Sequence, residues 1–73
     1  MNAIVTGASS GIGLAISRML ADEGYDVYGI GRTFGEDASF LKARISLDLR
    51  DTDILIDKVS KIERVDLLVN SAG

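Results

Sequence analysis

Residues 6–13 read Thr-Gly-Ala-Ser-Ser-Gly-Ile-Gly. This glycine-rich stretch stands between two segments of opposite periodicity. Before it, residues 2–6 form a short apolar run that stops at glycine, as a strand buried on both faces does. After it, over residues 11–23, Ile12, Ala15, Ile16, Met19 and Leu20 recur at helical spacing, and Gly24 offers a left-handed stop. A strand-to-helix junction leaves unpaired backbone N–H groups pointing outward at the positive end of the helix dipole, which suits an anion such as phosphate. The glycines have separate uses. Gly7 can take a tight turn, Gly11 lets the backbone approach a pyrophosphate, and Gly13 lets helix and strand pack closely. Ala8, Ser9 and Ser10 leave an anion room, and the two hydroxyls can donate to it. The alternative is a ligand-free turn. Its position after the first strand of an alternating chain favours the phosphate site. No Gly-Lys-Ser/Thr follows, so a P-loop is excluded.

The rest of the chain continues the alternation. Residues 26–31 read as a second strand, residues 33–37 as a loop, and residues 38–43 as one or two helical turns at most. Residues 44–47 form a third strand ending at Asp48. A second helix follows, with Asp51 or Thr52 as its cap, Leu55, Val59 and Ile62 along one face, and Asp57 placed to pair with Lys61. Ile54 and Ile56 widen its apolar surface and predict substantial burial. Residues 66–70 are the fourth strand. Strands alternating with helices predict an α/β fold, a parallel sheet with helices on both faces.

The composition narrows the chemistry. At 73 residues the chain is one domain at most, with 47% hydrophobic and 26% charged residues. With neither Cys nor His, it has no disulfide, thiolate nucleophile, Cys-based metal site or Ser-His pair. A net charge of −3 leaves no electrostatic footprint for nucleic acid. Its apolar runs are too short for a membrane span or signal segment, so a cytoplasmic location is expected. Asp48, Asp51 and Asp53 sit at a strand end and a helix start, where capping and dipole matching explain them better than a metal site.

Three motifs in order carry a family resemblance. Thr6-Gly7-x-x-x-Gly11-Ile12-Gly13 resembles the cofactor motif of the short-chain dehydrogenase/reductase family. Asp48-Leu49 resembles its adenine-contacting pair. Asp66-Leu-Leu-Val-Asn70-Ser71-Ala72-Gly73 resembles the Asp-x-x-x-Asn-Asn-Ala-Gly segment that stabilises the sheet and lines the cofactor site. Ser71 replaces the second Asn, and Glu63 stands where the longer pattern often has Gly. The resemblance implies a Rossmann domain with four parallel strands in the order 3-2-1-4. Residues 1–73 would be its partial dinucleotide-binding domain, truncated after the fourth strand. It also implies a nicotinamide dinucleotide as ligand, with Gly7, Ser9, Ser10, Gly11, Ile12, Gly13, Asp48, Leu49, Asn70, Ala72 and Gly73 among the cofactor-binding positions.

NAD-type folds place an acidic residue about 20 positions past the glycines, at the end of the second strand, to accept from the adenosine ribose. Here that place is Gly31, followed by Arg32 and Thr33. Without the carboxylate a ribose 2′-phosphate is not repelled, and Arg32 can pair with it. NADP(H) is therefore favoured over NAD(H). Glu36 and Asp37 leave the NAD alternative open should the loop fold back.

The family's Tyr-x-x-x-Lys pair and its Ser, which carry the proton transfer, do not occur in these 73 residues. Tyr28-x-x-x-Arg32 only imitates that pair, because residues four apart on a strand stand about 13 Å apart. No catalytic residue is assigned. The leading expectation is the cofactor-binding fragment of an NAD(P)-dependent short-chain oxidoreductase; the alternative is a genuine short, non-catalytic dinucleotide-binding or subunit-pairing module. An S-adenosylmethionine binder is disfavoured by the Asn-Ser-Ala-Gly ending. The fourth strand would be an open edge of Leu67, Leu68 and Val69, so self-association through it, or pairing with the missing C-terminal part, is expected.

Overall fold

The amino-terminal apolar run forms β1 (Asn2–Thr6), whose three central residues are buried. In the computed structural model, which describes residues 1–9, 11–47 and 50–71 with only the backbone of Thr52, six further elements follow. They are α1 (Gly11–Asp22), β2 (Asp26–Gly31), a 3-10 turn (Glu36–Ala38), β3 (Ala43–Ser46), α2 (Thr52–Ser60) and β4 (Leu67–Asn70). The strands form one parallel sheet in the order β3-β2-β1-β4, the arrangement the resemblance implied. The register sets Thr6 beside Ile30 on one side and Asn70 on the other, so three strands finish level at their carboxyl ends.

Side chains alternate across this sheet with period two. Ala3, Val5 and Val27 belong to the core that packs against Leu14, Leu20 and Ala21 of α1. Ile4, Ile30 and Leu68 point the other way, toward Leu55, Ile56 and Val59 of α2. The two helices thus lie on opposite faces. Ile4, Ile30, Val5 and Val27 are the largest fully buried apolar side chains, each contributing about 1.5–3 kcal/mol by burial.

The helix α1 turns differently from the way its apolar spacing suggests. Its buried residues are Gly13 and Ser17, one turn apart, whereas Ile12 is 75% and Met19 68% exposed. The helix comes so close to the sheet at its start that small residues face inward. Ser17 Oγ satisfies itself on the Gly13 carbonyl four residues back, at 2.7 Å. Gly24 supplies the expected left-handed stop, with φ of +98°.

Further expectations need correction. The crossover after β2 makes its helical turn at residues 36–38, earlier than expected, and β3 starts and ends one residue early. This crossover is not a free loop, because Ala38 and Leu41 enter the core and Phe40 lies under the Arg18 guanidinium, 4.5 Å from the ring centre. In α2, Asp51 occupies the cap position but makes no side-chain capping bond. Ile54 and Ile56 are exposed rather than buried: Ile56 borders an apolar cleft of about 570 Å³ between α2 and the sheet, and Ile54 lies beside Arg50, Asp51 and Asp53. The Asp57–Lys61 pair forms as expected at 3.5 Å.

A polar clasp joins the amino ends of β1 and β4. The Asn2 amide donates to Asp66 Oδ2 at 2.8 Å, Arg64 Nε donates to Asp66 Oδ1 at 2.8 Å, and Asn2 Nδ2 donates to the Arg64 carbonyl at 2.8 Å. The bond from the Asn2 amide, aided by the Arg64 charge, holds the Asp66 carboxyl below its ordinary value.

Candidate functional site

The level carboxyl ends of β1, β2 and β4 form the shelf on which ligands of open α/β sheets sit. Gly7 leaves β1 with φ of +68°, and Gly11 opens α1 with φ of +59°, conformations that only glycine adopts readily. Between them the Ala8 amide donates to the Ile30 carbonyl at 3.1 Å, fastening the loop to β2. The Ala8 side chain is fully buried and packs in the core, so it leaves the space above the loop open.

Gly13 shows why the loop and helix can approach. A Cβ at this position would overlap the Gly7 carbonyl oxygen, and would stand 2.6 Å from its carbon and 2.5 Å from Ser71 Oγ. Ser71 Oγ lies 2.6 Å from the Thr6 carbonyl and donates to it, so the small residue that departs from the family pattern has a seat of its own. Thr6 Oγ1 donates to Asn70 Oδ1 at 2.8 Å, orienting the Asn70 amide at the end of β4.

Gly11 is the reverse case. A Cβ there would meet nothing within 4 Å, and both Gly11 and Ile12 are exposed. The first turn of α1 contains no acidic residue, so no side-chain charge cancels the positive end of its dipole. An open, positively polarised helix start behind a fixed glycine loop fits a pyrophosphate. Arg32 and Thr33 follow β2 directly, both exposed on the same end of the sheet. Glu36 and Asp37 form the exposed 3-10 turn, with the Asp37 carboxylate turned back beside Gly35.

The structure thus gathers Gly7, Ser9, Gly11, Ile12, Gly13, Arg32, Thr33 and Asn70 at one end of the sheet. Ser10, Asp48, Leu49, Ala72 and Gly73 lie outside the described residues. A polar hollow of about 430 Å³ lined by Asn2, Tyr28 and Lys58 is at the opposite, amino end of the strands, away from this shelf. Tyr28 lies within β2, as its strand reading required. Sequence reasoning missed the seat of the loop on β2. The signal was available in the alternate glycines Gly29 and Gly31, since glycine inside a strand often marks a close backbone approach.

Comparison with known proteins agrees with this geometry. The sequence pattern of the short chain dehydrogenase family matches residues 1–73. Gluconate 5-dehydrogenase of Gluconobacter oxydans is 42% identical, covering 97% of this chain and 33% of that protein. A "Probable NADP-dependent dehydrogenase" of Haemophilus influenzae is 39% identical, over 97% of this chain and 32% of its own length. Among solved structures, a short chain dehydrogenase/reductase family protein superimposes with a TM-score of 0.85 at 40% identity, over 100% of this chain and 34% of the other. The chain therefore spans about a third of the length of the curated relatives it matches. With the three-glycine loop, the 3-2-1-4 sheet and these likenesses all in agreement, the chain belongs to the short-chain dehydrogenase family.

Proposed function

We propose that these 73 residues are the part of an NADP(H)-dependent short-chain oxidoreductase that binds the adenosine and pyrophosphate of the cofactor. The observation that carries the reading is the glycine loop. It is fastened to β2 by the Ala8 bond and opens onto a helix start with no acidic residue in its first turn. Ser9, Ser10 and the amides around Gly11 would hold the pyrophosphate, Asp48 and Leu49 the adenine, and Asn70, Ala72 and Gly73 the wall beyond. When bound, the nicotinamide ring supplies hydride chemistry. The chain's own residues would hold the other end of that cofactor, with glycine in place of a carboxylate at the end of β2.

The preference for NADP(H) rests on Arg32 and Thr33 following Gly31 in place of a carboxylate. The NADP-dependent relative supports it. A longer parent would interconvert carbonyl and alcohol groups with the Tyr and Lys that this stretch does not contain. An apolar cleft and the exposed Leu68 favour a second reading, a short module that pairs with another subunit.

Cofactor titration tests the proposal. NADPH should bind more tightly than NADH, and Arg32→Ala should weaken NADPH about tenfold to a hundredfold, the worth of a charge-assisted bond of about 1.5–3 kcal/mol. NADH affinity should change less than about threefold, since it lacks the charged group at issue. Equal losses for both dinucleotides would refute the role of Arg32.

A further inference from the structure

The second strand ends Tyr28-Gly29-Ile30-Gly31. Both glycines are buried and, two residues apart, share one face of the strand. A Cβ on Gly29 would stand 2.8 Å from Leu41 Cδ1 and 3.1 Å from Ala8 Cβ. One on Gly31 would stand 2.7 Å from both Cβ and Oγ of Ser9, and 3.2 Å from its amide nitrogen. Between the two glycines, the Ile30 carbonyl accepts from the Ala8 amide. The glycine loop therefore lies in a trough made by two missing side chains. Position 31 is also where a carboxylate would have to stand to recognise an unphosphorylated ribose.

Resting on the NADP(H) reading above, we infer that Ser9 and Gly31 form a steric couple that sets cofactor selectivity. While Ser9 occupies the trough, position 31 cannot carry a side chain without displacing the loop that holds the pyrophosphate. An acidic residue there is barred by packing as well as by charge. The group that occupies the space is a hydroxyl, whose Oγ has no hydrogen-bond partner among the described residues. A hydroxyl can donate to a phosphate oxygen, where a carboxylate would repel it. Arg32 thus supplies the attraction for a 2′-phosphate, and Ser9 guards the position from which it could be opposed.

The test compares the parent chain with Gly31→Asp, Ser9→Gly and the double variant. Each is unfolded thermally without cofactor and titrated with NADPH and with NADH. Gly31→Asp alone should lower Tm by roughly 5–15 °C, as overpacking against a fixed backbone does, and should weaken both dinucleotides more than about tenfold. Adding Ser9→Gly should restore most of the Tm and give a chain that binds NADH about tenfold more tightly than NADPH. A Gly31→Asp chain that keeps its Tm and takes NADH well would overturn the couple while leaving the NADP(H) reading of the parent intact. A double variant no better than the single one would overturn it too. If the parent binds neither dinucleotide, the functional reading fails and the selectivity claim with it, while the unfolding data still judge the steric part.

Discussion

Gly13→Ala measures how tightly the loop, the helix and β4 are locked together. Helix propensity alone predicts that this substitution stabilises the chain by about 1 kcal/mol, since alanine replaces glycine within α1. The packing predicts the opposite. The new Cβ would stand 2.6 Å from the Gly7 carbonyl carbon and 2.5 Å from Ser71 Oγ, each short of the 3.4 Å at which ordinary contact begins by about 0.8 Å or more. One obstacle is backbone, held in place by the Ala8–Ile30 bond, and the other is the short Ser71 side chain fastened to Thr6. Neither is the end of a long flexible side chain, so α1 must lift from the sheet and take Leu14 and Leu20 part of the way out of the core. Overpacking of this kind costs about 1–3 kcal/mol. With backbone as the obstacle the upper end applies, and the propensity gain offsets about a third of it. The net expectation is a loss of about 2 kcal/mol, or roughly 8–16 °C in Tm for a domain of this size. Urea denaturation followed by circular dichroism reads it directly. A Gly13→Ala chain as stable as the parent, or more so, would refute the packing argument.

The clasp at the amino end of the sheet should be visible in acid. Asp66 has its carboxyl depressed in the folded chain, so its contribution is fully present above the ordinary value of 3.8 and is lost as the pH falls below it. Asp66→Asn should flatten that part of the stability profile, and an unchanged slope would remove the clasp from the account. On the open edge, Leu68→Lys puts a charge where the parent exposes an apolar side chain on β4. Sedimentation should show less self-association than for the parent, and equal association would exclude β4 and its apolar cleft as the contact.

Much of the architecture was legible because it follows from signals that tertiary contacts do not override. β1 and β2 have the bounds that their apolar runs and closing glycines suggested, and Gly7 and Gly24 take the left-handed conformations their positions require. The orientation of α1 was not legible, because hydrophobic periodicity weighs large side chains while this helix buries Gly13 and Ser17. The close approach at Gly13 selects for absence of bulk, which an apolar count cannot register. The core role of Ala8 was not legible for a related reason: a small residue in a glycine loop leaves room for a ligand and can also fill a core, and here the hydrogen bond from its amide to the Ile30 carbonyl seats it in the core. Ile54 and Ile56 carry a signal for burial that the described residues do not satisfy. The candidate shelf was expected from its glycine spacing, but the loop's fit to β2 depended on Gly29 and Gly31, which are far from the loop in sequence and adjacent only once the sheet forms.

The central claim is that the glycine loop is the anion seat of a nicotinamide dinucleotide. The most direct measurement is an amide chemical-shift titration of this chain with NADPH, NADH and S-adenosylmethionine. The account predicts that amides of residues 7–13 and of Arg32 and Thr33 move with NADPH, saturate at lower concentration than with NADH, and stay in place with the methyl donor. Shifts confined to the apolar cleft beneath α2, or a loop that responds to none of the dinucleotides, would contradict it.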